Sequence, residues 1–143
     1  MYAPSQNDVR TFFCNTYAKI QQSSPLTPLE SQAAQWIDQH PEYAEALSNL
    51  EAALNAVYRV EEGGSNPFLH LSMHLSISEQ TSIDQPSGIR QAVELLAARK
   101  SSLHDAHHEV MECLGAMLWA SQQQGLPPDG LAYIEAVRQR ASR

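Results

Sequence analysis

A chain of 143 residues, 43% hydrophobic and 17% charged, has the make-up of a globular protein long enough to bury a core, and one domain over residues 1–143 is expected. Nine Lys and Arg face sixteen Asp and Glu, a net charge of −7, which argues against a nucleic-acid partner because phosphate binding runs on clustered basic side chains. There is no apolar run of about eighteen residues to span a membrane, no secretory pattern in the opening MYAPSQNDVR, and only two cysteines, Cys14 and Cys113, so a reducing, cytoplasmic setting is expected.

The predicted elements follow in chain order. Asp8 is placed to cap a first helix carrying Val9, Phe12, Phe13, Tyr17 and Ile20 at helical spacing. After a loop from Ser23 to Leu26, Thr27-Pro28-Leu29-Glu30 reads as a capping box with proline at the first helical position. That helix runs toward His40 and should bury Leu29, Ala33, Trp36 and Ile37. Pro41 restarts the chain, and Ala44 to Val60 is expected as helix with a break near Ser48-Asn49. Glu61 to Ser65 is the clearest loop. Asn66-Pro67 opens the next helix, to about Gln80, and Asp84 and Pro86 bracket a turn before a helix over Ile89 to Lys100. Ser102 caps a longer helix that Gly125 and Pro127-Pro128 terminate, and Asp129 caps a last one through Arg140. No stretch alternates long enough to be a strand. The fold class is therefore all-α, a helical bundle of five to seven helices with short loops. Trp36, Trp119 and Cys113 are read as core, and the cluster Arg138, Arg140 and Arg143 as a solvated helix end favoured by the helix dipole.

Five of the six histidines fall in two sets, His70/His74 and His104/His107/His108. Residues four apart share a helical face, so His70/His74 and His104/His108 each present two imidazoles in one direction, and Glu112 continues the second row. On a helical wheel, His70 and His74 lie amid Leu71, Met73, Leu75 and Ile77, opposite the polar arc of Ser72, Ser76 and Glu79. Both should face the core. His104, His108 and Glu112 border the apolar stripe of their helix, and His107 sits nearer its middle. Imidazole donors suit zinc, iron, nickel and copper. A single histidine on an apolar face is more often a core residue bonded to backbone or carboxylate. Two pairs with a carboxylate in register are harder to obtain by chance. There is no HExxH, P-loop, GxGxxG or nucleophile elbow to point elsewhere.

The motifs Asn66-Pro-Phe-Leu-His-Leu-Ser-Met-His-Leu75, Ser82-Ile-Asp-Gln-Pro-Ser-Gly-Ile-Arg90 and Met111-Glu-Cys-Leu-Gly-Ala-Met-Leu-Trp119, with Pro25 to Glu30 and His40-Pro-Glu-Tyr43, resemble an uncharacterised bacterial family called domain of unknown function 1841. The resemblance covers nearly the whole chain. It implies histidines at His70, His74, His104 and His108 and a glutamate at Glu112, with none required at His107, and it implies no activity. A looser likeness, of spacing alone, links His108 and Glu112 to hemerythrin-like bundles and keeps a di-iron site open.

The leading expectation is a protein of unknown activity with a metal site formed by His70, His74, His104, His108 and Glu112, holding a divalent transition metal, zinc or iron first. Glu112 would be a further ligand or would orient one imidazole, and an open coordination position would let the ion activate water or bind a small molecule; in a separate, enzymatic reading Glu112 is the candidate base. The alternative is a metal-free interaction module with structural histidines, as a homodimer.

Overall fold

The computed structural model describes residues 5–58 and 66–143. Every regular element among them is helical and no strand occurs, as the apolar spacing requires. The chain divides into two compact units, Met1–Leu75 and Ser76–Arg143.

In the first unit, α1 (Gln6–Gln21) begins earlier than expected. Ser5, not Asp8, is the cap: its hydroxyl accepts the Asp8 N–H at 3.0 Å, and the Asp8 carboxylate accepts the Ser5 N–H at 3.1 Å. Two end donors are satisfied together, which a lone Asp8 cap could not do. The box opening α2 (Pro28–Asp38) forms as expected, with the Glu30 N–H donating to Thr27 Oγ1 at 3.1 Å and the Thr27 N–H to Glu30 Oε1 at 2.9 Å. Turning Glu30 back in this way buries it against Lys19, whose Nζ lies 2.9 Å away, and leaves Leu29 exposed rather than in the core.

A 3-10 turn (Pro41–Tyr43) leads into α3 (Ala44–Leu47) and α4 (Leu50–Asn55). The break between these two falls at Ser48-Asn49, because Asn49 Oδ1 caps the second piece by accepting the Ala52 N–H. Val60 and the loop expected from Glu61 to Ser65 lie outside the described residues. The core here joins Phe13, Ala33, Trp36, Ile37 and Leu47 to Phe68 and Leu71 of α5 (Pro67–Ile83). Asn66 Oδ1 starts α5 by accepting the N–H groups of Phe68 and Leu69. Arg10 is also buried. Its guanidinium donates to the carbonyls of Ala53 and Ala56 at the end of α4, at 2.7 and 2.8 Å, and lies over the rings of Tyr58 and Phe68. Helix-end carbonyls and ring faces, both electron-rich, take the place of a carboxylate partner.

In the second unit α6 (Ile89–Lys100), α7 (Leu103–Gln124) and α8 (Gly130–Ala141) pack against one another in all three pairs. Ser102 caps α7 and Asp129 caps α8, as expected. Gly88, at φ +101°, lies where a Cβ would come 3.3 Å from Arg138 Nη2, so glycine meets both a backbone and a space requirement. The core holds Ile89, Val93, Leu96, Val110, Leu114, Ile134 and Val137, and Tyr133, whose hydroxyl donates to Gln80 at 2.7 Å. Cys113 is buried, and burial pushes its thiol up from the ordinary value.

Two expectations change in this unit, those for Trp119 and Arg140. Trp119 is 65% exposed, because it belongs to the outer row Glu112, Ala116, Trp119 and Gln123 rather than to the buried stripe. Leu103 and Leu118 are exposed at the margins of that stripe. Arg140 is not a bare solvated end: it contacts Glu112 directly and lies 3.6 Å from Glu109, which also pairs with Lys100 at 2.7 Å.

Candidate metal centre

The first unit gathers three imidazoles. Its His40, His70 and His74 rings have centroids 4.9, 4.9 and 4.8 Å apart, close to an equilateral triangle. His70 and His74 are there because i, i+4 spacing puts both on one face of α5. His40 arrives by a different route. It follows the last turn of α2, where carbonyls have lost their helical partners. The His40 backbone N–H goes to Ile37 O, and its ring Nδ1 lies 2.7 Å from Trp36 O. A carbonyl can only accept, so Nδ1 carries the proton and Nε2 carries the lone pair.

That Nε2 lies 3.2 Å from His70 Nε2. Two nitrogens on one tetrahedral zinc, with bonds of about 2.05 Å, stand roughly 3.3 Å apart. The same separation also suits a hydrogen bond from His70 Nε2–H to His40 Nε2. Aromatic rings back the triangle: Trp36 stacks on His74 with centroids 4.1 Å apart and planes 11° off parallel, and Tyr43 stacks on His40 at 5.2 Å and 5°. His40 and His74 are buried, at 3% and 0% exposure.

The second unit holds the other set on α7. His104 and His108 have ring centroids 4.4 Å apart and keep access to solvent. His107 faces inward, and its burial, followed by the charges of His104 and His108, holds it down at about 3, so it stays neutral.

His40 and His74 each offer a donor nitrogen to a group of histidines that could hold a metal ion. Imidazole nitrogens are donors that the borderline cations zinc, copper, nickel and ferrous iron accept. The His40 Nδ1–H to carbonyl bond is the contact that orients metal-ligating imidazoles and sets their tautomer.

Of the five residues expected at the site, His70 and His74 lie in the first-unit triangle with His40, and His104 and His108 pair on α7. Glu112 is exposed and engaged with Arg140. Sequence reasoning missed His40. Its signal was the pair His40-Pro41 at the end of a helix, where a ring N–H finds a helix-end carbonyl.

The family described as domain of unknown function (DUF1841) matches residues 5–139. The chain belongs to this family. No curated protein and no solved structure matches it. Within this DUF1841 domain no helix of the described residues is long and apolar enough to cross a membrane.

Proposed function

We propose that the chain binds a divalent transition metal, zinc or iron first, through His40, His70 and His74 of the first unit, with His104 and His108 of α7 as a second imidazole pair. The observation that carries this reading is the triangle of His40, His70 and His74 rings, with centroids 4.9, 4.9 and 4.8 Å apart. The tautomer of His40, fixed by Trp36 O, supports it. When bound, the ion supplies structural cross-linking and, through any coordination position left to solvent, Lewis acidity toward water or a small ligand. His40 and His74 are buried, and His104 and His108 keep access to solvent. Glu112 is retained as an outer contact rather than as a base, given its pairing with Arg140, and no reaction is assigned.

The test is metal analysis of tag-free protein grown in zinc- and iron-supplemented medium. One equivalent is expected, with a melting temperature that falls on chelation because metal binding is coupled to folding. A metal-to-protein ratio near zero, with chelator leaving the melting temperature unchanged, overturns the reading.

A second reading has an observation of its own. His40 Nδ1 tied to Trp36 O and Nε2 within hydrogen-bond reach of His70 can make a metal-free structural network. That reading belongs to an interaction module, and the exposed Leu118, Trp119, Leu126 and Leu131 offer it apolar surface for a second copy. Light scattering during size-exclusion chromatography tests the homodimer.

A further inference from the structure

We infer that Trp36 is the positioning residue of the metal centre, acting on two ligands at once through two different parts of itself. This rests on the reading of His40 and His74 as ligands. The backbone carbonyl of Trp36 takes the Nδ1–H of His40 at 2.7 Å. Its indole ring lies against the His74 imidazole at 4.1 Å, 11° from parallel. One residue in the last turn of α2 thus sets the tautomer of one ligand and the ring plane of the other.

Burial makes both constraints firm. Trp36 is 2% exposed among Ala33, Ile37 and Phe13, so the indole has no room to swing away. A metal-bound imidazole is electron-poor and the indole face is electron-rich, so the stack is worth more with metal than without it. The end of α2 contributes in the same sense, because helix-end carbonyls favour nearby positive charge. Trp36 therefore raises metal affinity as well as filling the core. Trp119 bears on none of this, being exposed on α7.

Cobalt(II) is the probe, read by its visible d–d absorption and by competition against a coloured chelator, on the full-length tag-free chain. Trp36→Leu removes the ring face and should weaken cobalt binding about 10–100-fold, the range for loss of a contact that orients a ligand, with a changed absorption envelope. Trp36→Phe should recover most of the affinity. Phe13→Leu, a comparable loss from the same core, should leave the envelope unaltered. In a His74→Ala background, Trp36→Leu should weaken cobalt binding no further, because the carbonyl that holds His40 is kept. Should Trp36→Leu fail to fold, fluorotryptophan incorporation keeps the shape and withdraws density from the indole face, and binding should weaken. Trp36→Leu or fluorotryptophan protein with wild-type affinity and spectrum overturns the positioning role alone. Wild-type protein that takes up no cobalt overturns the metal reading beneath it.

Discussion

The two histidine sets differ in what holds them. In the first unit every ring has a wall: Trp36 stacks on His74, Tyr43 stacks on His40, and the Trp36 carbonyl fixes the His40 ring. In the second unit His104 and His108 face each other along one edge of α7 with solvent access, and the well-packed ring is His107. Burial and stacking remove rotamer freedom before any ligand arrives, whereas an accessible helix edge loses that freedom only on binding. The first set is a preorganised triangle, and the second is an adaptable pair.

The comparison predicts opposite patterns of loss. His74→Ala should have the largest effect. It removes a ligand and also opens a cavity beneath Trp36, so metal-free protein should lose about 3 kcal/mol in denaturant titration. Metal affinity should fall at least ~100-fold, since loss of an outer contact alone costs about 10–100-fold. His108→Ala should lower affinity by a smaller factor and leave metal-free stability within about 0.5 kcal/mol, as surface changes do. Equal stability losses for the two variants would break the distinction between the two sets.

What could be read in advance follows the same line. The caps at Thr27, Asn66, Ser102 and Asp129, and the stop at Gly125, depend on a few neighbouring residues, so their signals are complete in the sequence. The inward face of His74 and His107 was legible too, because helical periodicity places them among apolar side chains. His40 was not, since its role comes from α2 ending between Trp36 and His40, one turn apart, and from α5 supplying His70, a partner thirty residues away. Trp119 was misplaced for a related reason. An aromatic residue at the edge of a stripe carries no local mark of whether another element will cover it.

Acid should separate the units more gently. Glu30 in the first is held below the ordinary carboxylate value of 4.5, mainly by the Thr27 backbone N–H and then by Lys19. Glu109 in the second is held low by Lys100 and then by Arg140. A lowered carboxylate stabilises the fold above its unfolded value, and that contribution is lost as pH falls through the lower folded value. Metal-free protein should therefore weaken below about pH 4.5. Glu30→Gln and Glu109→Gln should each flatten part of that acid limb in urea titrations between pH 3 and 6. An acid limb unchanged in both variants would place the pH dependence elsewhere.

The smallest effect should come from Glu112→Gln, and it decides whether the adaptable set on α7 ends at His108. The i+4 row from His104 through His108 continues to Glu112, so helical geometry alone allows the carboxylate to join the site. Its side chain is two-thirds exposed and in contact with Arg140, an arginine that also serves Glu109. An exposed ion pair contributes roughly 0–1 kcal/mol, and the amide retains a hydrogen-bond acceptor for the guanidinium. Stability should change by less than about 0.5 kcal/mol, and cobalt affinity should stay within about twofold of wild type, since the carboxylate is spent on α8 rather than on an imidazole. A loss of about 10–100-fold in affinity at unchanged stability is what a supporting ligand contact predicts. That result would extend the site along α7 and require Arg140 to release Glu112 when metal binds.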